Sequence, residues 1–306
     1  MITDFKNKTA VLTGAASGFG LACARIAANL GMHVVLVDVQ QDALDSASSE
    51  IAATAASHGG QVLSFQLDVA KADAVHAMAQ AVLQKLGAPH FVFNNAGVGA
   101  GGLIWETSAK DWEWVLGVNL MGVVHGVHAF IPMMLEAAKQ DPNYRAHMVN
   151  TASMAGLLNA PNMGVYNVSK HAVVSLTETL YHDLSLVTNQ ISASVLCPFF
   201  VPTGIAQSHR NKPSEMQEGN NKPTKSQLIG QAMSDKAVSS GKISAAVVAQ
   251  KVFDAIAADQ FYIYSHPQAL AGVQTRLEDI MLARNPSDPF AGKPEIGASL
   301  KAALRD

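Results

Sequence analysis

The chain has little of what marks several classes of protein. Of its 306 residues, only Cys23 and Cys197 are cysteines, so we expect neither a disulfide framework nor a Cys-x-x-Cys metal site, and a reducing cytoplasm fits best. Charged residues make up 15% of the chain and the net charge is −3, which leaves no basic stripe for nucleic acid and no polybasic face for a membrane. The sequence has no uninterrupted apolar run long enough to span a bilayer, and its N-terminus has no apolar h-region, so we expect no membrane partner.

Short β-branched runs alternate with longer helical patterns along most of the chain. The run Val34-Val35-Leu36-Val37 is apolar throughout, which is typical of a parallel strand buried on both faces. The predicted strands are 9–13, 33–38, 62–67, 90–93, 146–150, 191–196 and 261–264, and the predicted helices are 18–30, 41–57, 72–86, 109–139, 163–188, 244–258 and 267–283. This alternation predicts an α/β fold, a three-layer, doubly wound parallel sheet of the Rossmann type.

No linker rich in Gly, Ser or Pro divides residues 1 to 197, so we expect one domain over residues 1–265. Within it, residues 199–242 carry several prolines and glycines and little periodicity, which predicts a long loop on the substrate side, either a lid or a solvated connection. Residues 266–306 are predicted to form a C-terminal helix and a tail packed on the same domain.

A glycine-rich loop joins the first predicted strand to the first predicted helix. Gly14 follows the strand, and Gly18 and Gly20 open the helix, where free backbone N–H groups and the positive end of the helix dipole bind a pyrophosphate. The spacing Gly-x-x-x-Gly-x-Gly differs from the commonest dinucleotide fingerprint, and no Gly-Lys-Ser/Thr ending follows, which argues against a nucleoside triphosphatase. A tight strand-to-helix turn without a ligand is the alternative.

Asp38 ends the second predicted strand, 18 residues after Gly20. An acidic side chain at this place accepts hydrogen bonds from the adenosine-ribose hydroxyls and repels a 2′-phosphate. No Arg or Lys stands at Ser17 or Val39 to bind that phosphate, so NAD is the expected cofactor and NADP is less favoured. A capping role at the next helix is the alternative for Asp38.

Tyr166 and Lys170 lie four residues apart on a predicted helix, and Ser153 lies a short loop upstream. The spacing places the phenol and the ammonium on one helix face. Lys170 and the positively charged nicotinamide ring of NAD are together expected to lower the phenol pKa from its usual value of about 10. Hydride transfer to a carbonyl requires a proton donor at oxygen, so Tyr166 is the predicted general acid and base, and Ser153 is predicted to bind the substrate oxygen. Tyr-x-x-x-Lys alone is common by chance. It indicates a catalytic pair here because the glycine-rich loop predicts a dinucleotide site in the same chain.

Together these residues resemble the short-chain dehydrogenase/reductase family over residues 6 to 265. Further matches are Asp68-Val69 after the third strand, Asn94-Asn95-Ala96-Gly97 after the fourth, and Asn119. The resemblance implies that Asp68 and the Val69 backbone contact adenine and that Asn95-Ala96-Gly97 lies beneath the cofactor. It also implies that Lys170 binds the nicotinamide ribose and that Asn119 holds a water that completes a proton relay.

The stretch from Pro198 to Thr203 resembles the family's Pro-Gly-x-x-x-Thr segment, which contacts the nicotinamide amide. Phe199 stands where the family has glycine, which affects the local backbone path. The complete set of expected cofactor-binding residues is Gly14, Ser17, Gly18, Phe19, Gly20, Asp38, Asp68, Val69, Asn95, Ala96, Gly97, Tyr166, Lys170, Pro198, Val201 and Thr203.

The predicted activity is hydride transfer between a nicotinamide cofactor and a secondary alcohol or ketone, with the catalytic tetrad Asn119, Ser153, Tyr166 and Lys170. The apolar content of residues 98–103, 154–165 and 199–233 predicts a hydrophobic or aromatic substrate. Basic residues in the long loop leave a carboxylate-bearing substrate open: His209, Arg210, Lys212, Lys222 and Lys225. An NAD-using epimerase or isomerase and a non-catalytic dinucleotide sensor are the alternative functions. The resemblance implies a homotetramer or a homodimer.

His125 and His128 lie three residues apart on a predicted helix, a spacing that two metal ligands share. No third ligand is evident in the sequence. We therefore expect structural histidines and no metal.

Overall fold

The computed structural model of the protein describes residues 1–217 and 222–305. Seven strands form one parallel sheet in the order β3-β2-β1-β4-β5-β6-β7. Their bounds are β1 Thr9–Thr13, β2 His33–Asp38, β3 Val62–Gln66, β4 Phe91–Asn94, β5 Ala146–Thr151, β6 Ile191–Cys197 and β7 Tyr262–Tyr264. The predicted doubly wound Rossmann sheet in a single domain is thereby confirmed.

Ten α-helices are present in the described residues: α1 Gly18–Asn29, α2 Gln41–Ser57, α3 Ala72–Leu86, α4 Ala109–Leu116, α5 Gly122–Gln140, α6 Gly164–Val187, α7 Lys225–Ser239, α8 Ala245–Ala258, α9 Leu270–Met281 and α10 Pro294–Arg305. Helices α1, α2 and α8 cover one face of the sheet, and α3, α5 and α6 cover the other. The result is the expected three-layer arrangement.

Strand β2 illustrates why the strands are continuously apolar. Val34 and Leu36 pack into the core beneath α1, while Val35 and Val37 pack into the core on the opposite face. Successive side chains of a strand point to opposite faces, so a sheet covered on both sides needs apolar residues at every position. The carboxyl ends of β1, β2, β4, β5 and β6 then meet at one edge of the sheet, where doubly wound folds bind ligands.

The helix predicted over 109–139 is interrupted. A π-helical turn, Gly117–Met121, separates α4 from α5 and carries Asn119. Such turns insert an extra residue into a helix and are frequent at functional sites. Asn119 is fully buried, and its inward direction depends on this turn, which periodicity does not reveal.

One segment among residues 1–217 and 222–305 is long and apolar enough to cross a membrane by length and composition, since an 18-residue window within Ala109–Gln140 has a mean hydropathy of 1.5. The segment is not an uninterrupted apolar run, since Asn119, His125 and His128 lie within it. In the fold, 44% of the window is buried, and α5 packs against α3 and β4. Much of its apolar surface is domain core.

Residues 199–242, called the lid below, are more regular than predicted. The expectation of a long loop was wrong for α7 and for two 3₁₀ segments, Gly204–Asn211 and Ser214–Met216. Helix α7 buries only Ser226 and Val238 among its residues, so it has almost no apolar periodicity to detect. The signal that was present is a capping box: Thr224 accepts a hydrogen bond from the Gln227 backbone, and the Gln227 side chain accepts one from Thr224.

The C-terminal segment also differs from the prediction. The expected helix over 267–283 is a 3₁₀ turn, Pro267–Ala269, followed by α9. The predicted tail contains α10, which begins at Pro294 and contacts α7 of the lid. Proline at a first helical position is a start signal because its missing N–H would have no partner there in any case.

Candidate active site

The glycine loop after β1 is shaped by contacts that leave no room for side chains. Gly14 and Gly18 have φ values of +62° and +53°, and a Cβ atom at Gly20 would lie 2.2 Å from the Gly14 carbonyl oxygen. Ser17, the residue before α1, is exposed, and its side chain makes no capping hydrogen bond. The first N–H groups of α1 therefore face an open cradle, and the loop fits a pyrophosphate.

Phe19 differs from the other residues of this loop because its side chain packs into the core beneath α1. Only its backbone is placed to contribute to the cradle.

Asp38 lies at the end of β2 with 8% of its surface exposed. Its Oδ2 accepts a hydrogen bond from the Ala16 N–H (3.0 Å), and its Oδ1 accepts one from the Gln40 N–H (3.1 Å). The carboxylate thus ties the glycine loop to β2 and holds the turn just before α2. Each carboxylate oxygen retains acceptor capacity for a ribose hydroxyl.

Asp68 and Val69 follow β3 in the connection to α3. The Asp68 Oδ1 accepts a hydrogen bond from the Ala70 N–H (2.9 Å) and holds this turn. The Val69 carbonyl oxygen lies 2.9 Å from Nδ1 of His125 on α5, so His125 has a structural role. In the described part of the chain, no group of three His, Cys, Asp or Glu side chains could hold a metal ion.

The segment Asn95-Ala96-Gly97 is anchored to β1 through Thr13, which the sequence reading missed. The Thr13 hydroxyl oxygen accepts hydrogen bonds from the N–H groups of Asn95 (2.9 Å) and Ala96 (3.0 Å), and the Asn95 Nδ2 donates to the Thr13 carbonyl oxygen (3.0 Å). These bonds fix the end of β4 beside the glycine loop. A Cβ at Gly97 would lie 3.6 Å from Nζ of Lys170, which places the segment against the predicted catalytic residues.

Asn119 uses its side chain to hold the loop after β4. Its Oδ1 accepts a hydrogen bond from the Val98 N–H (2.8 Å), and its Nδ2 donates to the Val98 carbonyl oxygen (3.0 Å) and to the Ser169 hydroxyl (3.1 Å). Both amide hydrogens are therefore engaged within the protein. Ser169, one residue before Lys170, is a partner that the sequence reading missed.

Tyr166, Lys170 and Ser153 come from two elements that meet at the carboxyl edge of the sheet. Tyr166 lies in the first turn of α6, and Nζ of Lys170 lies 5.8 Å from the centre of its ring. Lys170 is 2% exposed and donates a hydrogen bond to the Thr151 carbonyl oxygen (2.9 Å) at the end of β5. Ser153 begins the next turn, where its Oγ accepts a hydrogen bond from the Ala155 N–H (3.1 Å).

Burial determines the titration of the two ionisable groups. It raises the pKa of the Tyr166 phenol, and hydrogen bonding to Ser153 opposes this in part. It lowers the pKa of Lys170 to about 8. In the protein by itself, desolvation of the phenolate is the larger effect. The lowering expected from Lys170 together with the nicotinamide ring of bound NAD stays a prediction.

The Pro198–Thr203 stretch follows β6 and accommodates phenylalanine without strain. Phe199 is not among the described residues with positive φ, so its backbone does not require glycine. Its N–H donates to the Ser265 Oγ (2.9 Å), and its ring is 41% exposed and packs on Phe200.

The rest of this stretch turns toward the glycine loop. Val201 is buried in the core beneath α1. A Cβ at Gly18 would lie 3.4 Å from the side chain of Thr203, which places Thr203 at the start of α1. The Pro198 carbonyl oxygen accepts a hydrogen bond from the Met154 N–H (2.9 Å), so the stretch also meets the turn that begins at Ser153.

The three predicted pocket segments are joined by polar contacts. The Gly102 N–H donates to the Asn162 carbonyl oxygen (2.9 Å), and the Asn162 Nδ2 donates to the Ser226 carbonyl oxygen (3.0 Å). The Ser226 hydroxyl accepts a hydrogen bond from the Leu103 N–H (2.9 Å) and donates to Glu106 (2.6 Å). The lid is therefore attached to both other walls through the start of α7.

Known proteins share this arrangement. The family model described as short chain dehydrogenase matches residues 8–214. A short chain dehydrogenase/reductase from Burkholderia phymatum, solved in complex with NAD, is 51% identical, with a TM-score of 0.88 over 94% of this chain and 99% of that chain.

Two curated relatives match nearly the whole chain. The CLA biosynthesis dehydrogenase/reductase of Lactiplantibacillus plantarum is 33% identical over 91% of this chain and 94% of its own length. The 1-deoxy-11-beta-hydroxypentalenate dehydrogenase of Streptomyces avermitilis is 32% identical over 95% of this chain and 97% of its own length. With the family model covering more than half of the chain, the protein belongs to the short-chain dehydrogenase family.

Proposed function

We propose that this NAD(P)-dependent oxidoreductase of alcohols and ketones uses NAD and acts on a hydrophobic or aromatic secondary alcohol or ketone. The observation that carries the proposal is the meeting of Ser153, Tyr166 and Lys170 beside a glycine cradle that fits a dinucleotide. The dehydrogenase and reductase names of the relatives favour hydride transfer over the epimerase and the non-catalytic sensor.

When bound, a nicotinamide dinucleotide supplies the donor or acceptor of hydride. Tyr166 then gives its phenolic proton to the substrate oxygen in reduction and takes it back in alcohol oxidation. Ser153 donates a hydrogen bond to the same oxygen as negative charge develops on it. The pKa of Lys170 is about 8, so its ammonium form predominates at pH values below this. This ammonium favours the phenolate electrostatically and binds the nicotinamide ribose.

The other parts of the cofactor are assigned to particular elements of the fold. We assign the diphosphate to the start of α1, adenine to Asp68 and Val69, and the nicotinamide amide to the Pro198–Thr203 stretch. Asn119 keeps its proposed water through its backbone carbonyl, since both hydrogens of its side-chain amide are engaged.

The proposed preference for NAD rests on Asp38. Its carboxylate closes β2 beside the glycine loop, where a negative charge opposes a 2′-phosphate and accepts ribose hydroxyls. The NAD complex of the Burkholderia phymatum relative is consistent with this choice.

The proposed apolar substrate is supported by where the basic side chains near the lid point. Lys212 pairs with Asp111 at 2.5 Å, and Lys110 donates to the carbonyl oxygens of Glu215 (2.8 Å) and Gln217 (3.0 Å). Both cations therefore have partners within the protein. Val98 and Val165, in two of the predicted pocket segments, share one buried apolar cluster.

We also keep a cytoplasmic homo-oligomer as a proposal. Large apolar side chains of α6 are exposed in the single chain, among them Val168, Tyr181 and Leu186, which suits pairing with a second copy. Light scattering of the purified protein tests this, and a monomeric mass would contradict it.

The direct test of the activity compares the wild-type protein with Tyr166→Phe, using NAD or NADP and a panel of neutral and carboxylate-bearing secondary alcohols. Loss of the proton donor is expected to lower kcat/KM by about 10³-fold, while the matched change Tyr181→Phe on the same helix leaves it unchanged. Wild-type oxidation is expected to accelerate as pH rises, because burial raises the pKa of Tyr166. Equal rates in Tyr166→Phe and wild type would refute the mechanism, and better turnover with NADP would refute the cofactor choice.

A further inference from the structure

Arg210 connects the lid to the end of β2. It lies in the 3₁₀ segment Gly204–Asn211, and its Nε donates a hydrogen bond to Oε1 of Gln40 (3.2 Å), 170 positions earlier in the chain. Gln40 comes two residues after Asp38 and directly before α2. A basic side chain of the lid therefore reaches the place where the adenosine ribose of a dinucleotide is expected.

The guanidinium also contacts the residue that follows Thr203. Arg210 also donates to the carbonyl oxygens of Gly204 (3.4 Å) and Gln207 (2.9 Å), and a Cβ at Gly204 would lie 3.4 Å from its terminal nitrogen. Gly204 directly follows Thr203, whose side chain lies against Gly18. Arg210 thus lies between the start of α1 and the end of β2, and these two elements form the diphosphate and ribose parts of the cradle.

Among the described residues, no carboxylate neutralises the charge of Arg210. All three of its hydrogen-bond acceptors are uncharged oxygens, and within residues 1–217 and 222–305 no carboxylate lies within 4.0 Å of it. Lys212, two residues later, is by contrast paired with Asp111. A planar guanidinium without an anionic partner is the side chain best suited to phosphate, because its N–H groups match two phosphate oxygens.

We propose that Arg210 is a cofactor-binding residue contributed by the lid, and that its guanidinium exchanges Gln40 for a phosphate oxygen of the bound dinucleotide. The proposal rests on the dinucleotide site described above. A guanidinium binds either of two phosphate groups: the diphosphate that NAD and NADP share, or the 2′-phosphate of NADP. Since the Asp38 carboxylate is bonded to Gln40 and would repel a 2′-phosphate there, we assign Arg210 to the diphosphate. Cofactor binding then holds the lid, and with it one wall of the substrate pocket.

The test measures dissociation constants by fluorescence titration for NADH and NADPH, and by calorimetry for ADP-ribose and adenosine. Arg210→Gln is expected to weaken NADH, NADPH and ADP-ribose by about tenfold each and to leave adenosine, which has no phosphate, unchanged. The affinity of Arg210→Lys for NADH is expected to lie between those of wild type and Arg210→Gln, because lysine keeps the positive charge but lacks the paired N–H groups of the guanidinium. The matched control is His209→Gln, an exposed neighbour in the same segment, which should bind NADH within about twofold of wild type.

Gln40→Ala distinguishes a phosphate-binding role of Arg210 from a structural role in which its hydrogen bond to Gln40 only holds the lid to the end of β2. If Arg210 binds phosphate, loss of Gln40 leaves NADH affinity within about twofold of wild type. Weakening as large as that of Arg210→Gln would overturn the proposal, as would unchanged NADH affinity in Arg210→Gln. Weakening confined to NADPH would overturn the diphosphate assignment in favour of the 2′-phosphate. A wild-type protein that binds neither dinucleotide would instead refute the proposed function itself.

Discussion

The cofactor half of the carboxyl edge and the lid are held in place by different means. Around the glycine loop, close backbone packing, such as Gly20 against the Gly14 carbonyl, is combined with hydrogen bonds from backbone N–H groups to the side chains of Thr13 and Asp38. The lid instead depends on side-chain hydrogen bonds across long separations, such as Ser226 to Leu103, 123 positions apart. Helix α7 buries two residues in all, so little hydrophobic burial supports it.

This difference bears on what each region does. A backbone cradle without side chains keeps one shape and suits a ligand that is the same in every turnover. A segment held by a few polar bonds opens at low cost, as a substrate lid must. The proposed catalytic side chains Ser153 and Tyr166 lie in the turn after β5 and on α6, and Arg210 is the proposed link from the lid to the cradle.

The largest effect is expected from Gly20→Ala in the cofactor half. Its Cβ would overlap the Gly14 carbonyl oxygen at 2.2 Å, so the loop must shift, at a cost of about 3 kcal/mol in unfolding free energy. Dinucleotide binding is expected to be lost with it, as measured by urea unfolding and NADH titration. Gly59→Ala is the control, because Gly59 has a φ of +85° but nothing within 4 Å of an added Cβ, and about 1 kcal/mol is expected. Equal costs would contradict the role assigned to close packing.

Asp38→Ala tests the one side chain on which the cofactor half depends for selectivity. Removing the negative charge beside the ribose is expected to raise the ratio of NADP to NAD efficiency by at least about tenfold. The ratio of kcat/KM values for the two cofactors measures this, with the exposed Asp42→Ala on α2 as the control. An unchanged ratio would mean that Asp38 serves only the Ala16 and Gln40 N–H groups.

Ser226→Ala is expected to act on the lid and not on the cradle. Ser226 is 1% exposed, and its loss leaves the Leu103 N–H and Glu106 without their partner, which costs about 1–3 kcal/mol locally. The expected result is faster proteolysis within the lid and a higher KM for substrate, with NADH affinity changed by less than about twofold. Ser239→Ala at the exposed end of α7 is the control. A lowered melting temperature without faster lid cleavage would count against a separately held lid.

The smallest effect is expected from Lys212→Gln. Its ion pair with Asp111 is partly exposed, with 15% and 20% of the two side chains accessible, and such pairs contribute about 1 kcal/mol or less. Lid proteolysis should rise modestly, and the difference from wild type should shrink at high salt. Lys236→Gln on α7 is the control. An effect as large as that of Ser226→Ala would show that charge, rather than the buried hydroxyl, holds the lid.

Local signals predicted most of the scaffold. The bounds of β1, β2, α2 and α3 agree with the sequence pattern because each has a strong apolar period or a continuous buried run. The order of the glycine loop, Asp38, Ser153 and Tyr166 along the chain was enough to expect a nicotinamide site. The π turn at Gly117–Met121, α7 and α10 were missed because their bounds depend on packing and caps and not on apolar periodicity.

What the sequence by itself determined is the chemistry: the glycine positions that only a close backbone approach explains, and a tyrosine and a lysine one helical turn apart. Only the tertiary structure decided what surrounds them. It buried the Tyr166 phenol, which raises its pKa in the protein by itself, and it tied both amide hydrogens of Asn119 to the protein. It also brought Arg210 to Gln40 across 170 positions. Contacts of that kind follow from how elements pack, and a linear pattern does not contain them.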